Sequence, residues 1–238
     1  ESWIDMDEIE FKGLLGTLIL MAVHKDREEP LTELFSLTEG KPIYRQLFTY
    51  HRFRQILRCL HFDDLKTRQQ RRENDKFCPV RDVWNLWVQG LPMCFSPNDD
   101  VTVDEQLVSF KGRCPFRQYM PLKPAKYGLK FFLLVDPVDN YVVNISPYLG
   151  KNGNETQQNY SVGERIVLSL ATPLFYSGRT IVADNFFSSL KLASKLLEKQ
   201  LTYLGTIRQN KRDLPPCVLP SKNRELYSTT FAFFNKNM

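Results

Sequence analysis

The order of apolar patterns along the second half of the chain constrains the fold more than any single motif does. Up to Leu91 the apolar residues recur at helical spacing; from Val101 onward short apolar runs take over. Val101–Val108 opens this region as a strand, with Val101, Val103 and Leu107 on one face and Thr102, Asp104 and Gln106 on the other. A second run, Leu129–Val135, a turn at Asp136–Asn140 and a third strand, Tyr141–Tyr148, complete a meander. Gly150–Tyr160 is a polar loop. Ser161 with Glu164 forms a capping box that starts a helix reaching Ala171. Thr180–Ala183 reads as a short buried strand ending at Asp184. Ser189 then caps a helix over Leu190–Lys199, and Leu201–Thr206 is a fifth strand.

The order β-β-β-α-β-α-β, three antiparallel strands and then strands that join in parallel, is that of an RNase H-like mixed sheet. The fold class is therefore α/β (α+β), preceded by helices. In that topology the first and fourth strands lie side by side, so Asp104 and Asp184 meet although they are far apart in sequence. A carboxylate inside an otherwise buried strand is costly unless a partner uses it. Two carboxylates brought together repel unless a positive charge lies between them. Mg²⁺ (or Mn²⁺), which prefers carboxylate, water and phosphate oxygens, is the expected cofactor.

Downstream of Asp104 the chain is basic without relief: Lys111, Arg113, Arg117, Lys123, Lys126 and Lys130, with Phe110, Phe116, Tyr119 and Tyr127 between them. Such a stretch suits a phosphate backbone, and a solvated surface explains it equally well. The overall balance of 32 Lys+Arg against 27 Asp+Glu, a net +5, would not by itself argue for nucleic acid; the clustering does. Composition (42% hydrophobic, 25% charged) excludes a disordered or membrane-embedded class. Five cysteines without a CxxC pair argue against a disulfide framework or zinc site, and His24, His51 and His61 have no ligand spacing. The longest apolar run, Gly13–Val23, falls short of the roughly 18 residues that span a bilayer. A start at Glu1 is expected of a segment of a longer protein, and the sequon at Asn154 is discounted because nothing else suggests secretion.

In the first half, Asp5 or Asp7 caps a helix through His24, apolar nearly all round and so expected at the centre of a helical layer. Lys25–Lys41 reads as loop. Thr49 caps a helix with Phe53, Ile56, Leu57 and Leu60 on one face and Arg52, Arg54 and Arg58 on the other, the latter read as solvated. Leu65–Asp75 is a charged, mobile connection. Val80, Val83, Trp84, Trp87 and Leu91 mark a third helix, stopped by Pro92, with the tryptophans as core anchors. Turn chemistry at Ser96–Asp100 sets a domain boundary.

Three stretches, TVDEQLVSFKGRCPFRQYMPLKPAKYGLK, VADNFFSS and YLGTIRQNKRDLP, resemble in order and spacing the core of the piggyBac family of DNA transposases. TYHRFRQILRCLHFDD and NYVVNISPYLGK agree with its helical element and third strand. The resemblance implies a cut-and-paste DNA transposase with catalytic, metal-holding aspartates, Asp104 the first and Asp184 the second. The third stands, in the family, in a GVDxLD-like motif after an insertion, and neither Asp213 nor Glu225 matches it. It also implies two metal ions in an in-line displacement, double-stranded DNA with transposon ends and TTAA targets as partner, a homodimer, no membrane, and a nuclear location. Arg208 and Lys211, and less directly Arg212, occupy positions the family uses at the DNA; Asn185 either orients a phosphate or caps its turn. The expected domains are 1–98, helical, for dimerisation and DNA binding; 99–210, the first part of the RNase H-like core; and 211–238, the start of the insertion, with a strand at Ser228–Phe234. The alternatives are a domesticated derivative that binds DNA or chromatin without cutting it, and a nuclease without strand transfer.

Overall fold

A computed structural model describes residues 3–26, 29–150, 161–221 and 224–233. They belong to two compact units, Glu1–Phe62 and Asp63–Met238. The helices of Leu65–Leu91, grouped by sequence with the N-terminal domain, lie in the second unit.

The first unit holds α1 (Glu8–Val23), α2 (Leu31–Leu34), α3 (Pro42–Leu47) and α4 (Tyr50–Cys59). Asp7 caps α1 by accepting the Glu10 N–H, and Thr49 caps α4 by accepting that of Arg52. Leu14, Leu34, Phe35, Tyr44, Phe48, Phe53 and Ile56 form the core. The expectation that α1 is central fails: only Leu14 and Thr17 of it are buried, while Ile9, Ile19 and Val23 are more than 60% exposed. The short helices beside it cover one stripe of its apolar circumference and no more. The stretch read as loop contains α2 and a buried polar knot in which Lys41 and the Tyr44 hydroxyl both donate to Asp26. Burial opposes the Asp26 charge, but these two donors outweigh it and hold the carboxyl below its usual range. Arg52 is not simply solvated, since it forks onto Glu10 at 2.6 and 2.5 Å and lies over the Trp3 ring.

The second unit begins with α5 (Arg68–Asn74) and α6 (Arg81–Cys94). The connection read as mobile is therefore partly helical. The reason is Asp63, whose buried carboxylate accepts from both Arg68 and Arg71, neighbours on one helix face. Pro92 does not stop α6, which runs on to Cys94; the Leu91 carbonyl near its end accepts the Tyr141 hydroxyl at 2.7 Å. Trp84 stacks on Phe131 (5.4 Å) and meets Phe77 edge-on, as an anchor should. Trp87, expected beside it, is 48% exposed.

The sheet comprises β1 (Asp100–Ser109), β2 (Gln118–Tyr119), β3 (Tyr127–Asp136), β4 (Tyr141–Pro147), β5 (Thr180–Ala183) and β6 (Thr202–Gly205). Its order is β4-β3-β1-β5-β6, with the two-residue β2 sharing the β4 edge of β3. β1 runs antiparallel to β3, and β5 joins β1 in parallel, followed by β6 in parallel on β5. This is a mixed α/β sheet with the expected strand order. The helices α7 (Val162–Leu170) and α8 (Leu190–Glu198) pack one face, where Val101, Val103, Phe132, Leu134, Ile181, Val167, Leu192 and Leu196 are buried together. Asp136 is buried in the β3–β4 turn, accepting the backbone N–H groups of Asn98, Val138 and Asp139, a structural role as expected. Past β6, Ser228–Phe233 forms no strand: it finds no edge to pair with, and Phe231 and Phe233 stay exposed. The loop expected over 150–160 and the sequon at Asn154 lie outside the described residues from 151 onward. Among the described residues no helix is long and apolar enough to cross a membrane.

Candidate metal centre and nucleic-acid interface

The parallel ladder between β1 and β5 pairs Val101 with Ile181, Thr102 with Val182 and Val103 with Ala183. Asp104 is the next residue on β1, and Asp184 is the first residue past the end of β5. Because side chains alternate, Asp104 belongs to the sheet face opposite Val103, and Asp184 follows the last paired residue of the neighbouring strand. The expectation of a carboxylate inside a buried strand is corrected here: Asp104 and Gln106 are exposed. The face carrying Asp104 is open at this point, so no desolvation cost attaches to its charge.

Each carboxylate is aimed by one local bond. Asp104 Oδ1 accepts the Glu105 N–H at 2.7 Å, and Asp184 Oδ1 accepts the Phe186 N–H at 2.9 Å. The Asp184 turn has a further anchor that no local pattern signals. Its carbonyl accepts the Ser188 hydroxyl at 2.9 Å, and Ser188 shares a 2.7 Å bond with the Tyr203 hydroxyl from β6. Burial raises the Tyr203 pKa above its usual range and the Asp184 charge adds to this, against the Ser188 bond. Gly205 leaves room for this group: a Cβ there would stand 2.7 Å from the Ser188 hydroxyl and 2.9 Å from that of Tyr203. Glu105, on the other face, pairs with Lys123 at 3.4 Å and so stays clear of Asp104, as its alternation predicts.

Two exposed carboxylates, each next to the last paired residue of neighbouring strands, are hard oxygen donors of the kind a divalent cation such as Mg²⁺ or Mn²⁺ takes. They make a partial set: among the described residues no group of three or more His, Cys, Asp or Glu could hold a metal. His51 packs against Tyr50 and His61 bonds the Cys59 carbonyl, away from any such role.

The basic residues fall into two groups. Arg208 is tied to the turn that follows β5, since its Nε donates to Asn185 Oδ1 at 3.1 Å and Asn185 adjoins Asp184 in sequence. Asn185 thus holds an arginine in this structure. Lys211, whose N–H bonds the Arg208 carbonyl in a turn, is half-buried; Arg212 is exposed. Lys111, Arg113, Arg117 and Lys126 are exposed in the segment from β1 to β3. Arg117 stacks over Tyr127 at 5.3 Å and holds the Lys111 and Gly112 carbonyls at 3.2 Å. Lys123 is tied back to Glu105.

Comparison with known proteins adds to this geometry. The family model described as Transposase IS4 matches residues 1–238. The chain is 29% identical over 216 residues to the human (Homo sapiens) "PiggyBac transposable element-derived protein 3", covering 87% of this chain and 35% of that protein. It matches the human "Chimeric ERCC6-PGBD3 protein" with the same identity, over 19% of that protein. Among solved structures it is similar to a piggyBac transposase synaptic complex with hairpin DNA, at 38% identity and a TM-score of 0.86, over 97% of this chain and 48% of that one. The chain thus spans about a third of the first human relative and about half of the solved transposase chain.

Proposed function

This chain belongs to the piggyBac family of transposases, and from that premise we propose that it carries part of a metal-dependent DNA-cutting centre in which Asp104 and Asp184 hold the cation. The observation that carries the reading is the β1–β5 register, which ends one residue short of both aspartates. Asp104 and Asp184 would hold a divalent cation, which would supply Lewis-acid polarisation of a phosphodiester and a lowered pKa for a bound water. The residues of this chain do the rest. Asp104 presents its oxygens from β1 and Asp184 from the turn after β5, which the Ser188–Tyr203 pair keeps from swinging. Arg208, Lys211 and Arg212 receive the phosphate backbone near the cut, with Asn185 setting the direction of Arg208. Lys111, Arg113, Arg117, Lys123 and Lys126 extend the basic path, Lys123 with the weakest claim because Glu105 already engages it. Double-stranded transposon ends and TTAA targets, a homodimer and a nuclear location belong to the same proposal, as does a dimerising and DNA-binding role for the N-terminal helices.

The test is cleavage of a transposon-end duplex in Mg²⁺, using the protein that contains this chain. Asp104→Ala and Asp184→Ala are expected to abolish cleavage while DNA affinity stays within about threefold, since neither carboxylate is a phosphate donor. Retained cleavage by either variant would overturn the assignment. Similarity to a human element-derived protein and to a chimeric one supports the second reading, a domesticated DNA-binding protein. Tight DNA binding without any cleavage by the unmodified protein would favour it.

A further inference from the structure

Lys130 lies on β3, half-buried, on the sheet face opposite Asp104. Its ammonium is 4.8 Å from the centre of the Phe132 ring, 5.6 Å from that of Phe186 and 6.0 Å from that of Tyr148. Aromatic faces attract a cation but do not neutralise it. Glu105, two pairs along the β1–β3 ladder and so on the same face, is turned to Lys123, and among the described residues no carboxylate pairs with Lys130. A partly desolvated cation in this state calls for an anion.

Phe186 supplies a second, independent feature. It is 42% exposed although Phe187 beside it is 1% exposed. Its ring lies parallel to Phe132 (5° between planes, centres 6.5 Å apart) and edge-on to Phe187. The backbone holding it is fixed, since its N–H bonds Asp184 Oδ1 and its carbonyl sits where a Cβ on Gly163 would come within 2.7 Å. Phe132 and Tyr148 also line a cleft of about 250 Å³ whose other walls include Val162, Arg165 and Ile166 of α7. An exposed flat ring, an uncompensated cation and a cleft therefore adjoin one another, on the same short turn as a metal-site carboxylate.

We propose that Phe186, Lys130, Phe132 and Tyr148 form a seat for one unpaired nucleotide of the bound DNA, its base stacked on Phe186 and its phosphate on Lys130. A paired base is already stacked on both faces and offers nothing to Phe186; an unpaired base does. The inference rests on the DNA-acting reading above. It concerns which nucleotide is held beside the centre.

The test compares the affinity of the same protein for two DNA duplexes, identical except that one carries a single extra unpaired adenine. The unmodified protein is expected to prefer the duplex with the unpaired base. Phe186→Ala and Phe186→Leu should lose roughly 5- to 100-fold of that affinity while binding the paired duplex as before, and Phe186→Trp should retain the preference. Lys130→Gln should weaken binding of the unpaired-base duplex and lower its salt slope by about one. Phe186→Leu keeps the apolar contacts, so it reads stacking even where the alanine variant folds poorly. Equal affinity of the unmodified protein for both duplexes, or an unchanged preference in Phe186→Leu, overturns the seat alone. Failure to bind either duplex overturns the DNA-acting reading and the seat with it.

Discussion

Asp63 and Asp104 show how differently one residue type is used in this chain. The Asp63 side chain is 1% exposed and accepts from Arg68 and Arg71. The Arg68 hydrogen bond is the largest cause pulling its carboxyl down, to a pKa of about 2, against burial. A folded pKa below the unfolded value of about 3.9 means a contribution fully present above pH 4 and lost as pH falls toward 2. Asp63→Asn is therefore expected to flatten the dependence of melting temperature on pH between about 4 and 2, read by circular dichroism. A variant as acid-sensitive as the parent would show that this cluster does not set the acid limit. Asp104, by contrast, is exposed and bonded only to the next residue's N–H among the described contacts, as suits a group reserved for a ligand. Arg208→Ala with Lys211→Ala should weaken DNA binding about equally across sequences and lower the slope of log affinity against log salt by about two. An unchanged slope would return both to the solvated surface.

At the scale of elements, the starts of α7 and α8 hang on one buried carboxylate. Ser161 and Glu164 close the box that spacing predicts, at 2.7 and 3.3 Å. The other oxygen of Glu164 accepts the Ser189 hydroxyl, and Ser189 in turn accepts the Leu192 N–H to begin α8. The box is legible because its partners are three residues apart; the link to Ser189 crosses 25 residues and leaves no local pattern. Ser161→Ala is expected to cost about 1 kcal/mol of unfolding free energy. Glu164→Ala should cost at least twice as much, since it leaves the Ser161 N–H without its acceptor and strips the Ser189 cap of its partner. Equal losses in urea denaturation would show that the link between the helices carries no energy. Gly128 on β3 constrains the sheet in another way, because a Cβ there would lie 2.3 Å from the Val108 carbonyl oxygen. Gly128→Ala should destabilise by about 1–3 kcal/mol, the usual cost of overpacking. A neutral effect would mean the β1–β3 pair yields more readily than its backbone contact suggests.

At the scale of the whole molecule, each unit has its own apolar core, one of short helices and one built on the sheet. A fragment beginning at Asp63 is expected to melt cooperatively by circular dichroism, and a non-cooperative melt would mean its sheet core does not suffice. What the amino-acid order determined by itself is what local chemistry specifies. The Asp7, Thr49, Ser161 and Ser189 caps, the period-two strands and the strand order follow from side chains a few residues apart competing for known backbone partners. The pairing of β5 with β1 also followed, because a parallel strand in this order has one place to join. What only the tertiary structure decided is which faces find cover. An α1 whose Gly13–Val23 run is apolar nearly all round stays largely exposed, Trp87 and Phe186 reach solvent, Pro92 is carried inside α6, and a charged connection becomes helical around Asp63. Burial, ion pairing and exposure are set by neighbours distant in sequence, and a pattern read along one chain segment carries no record of what packs against it.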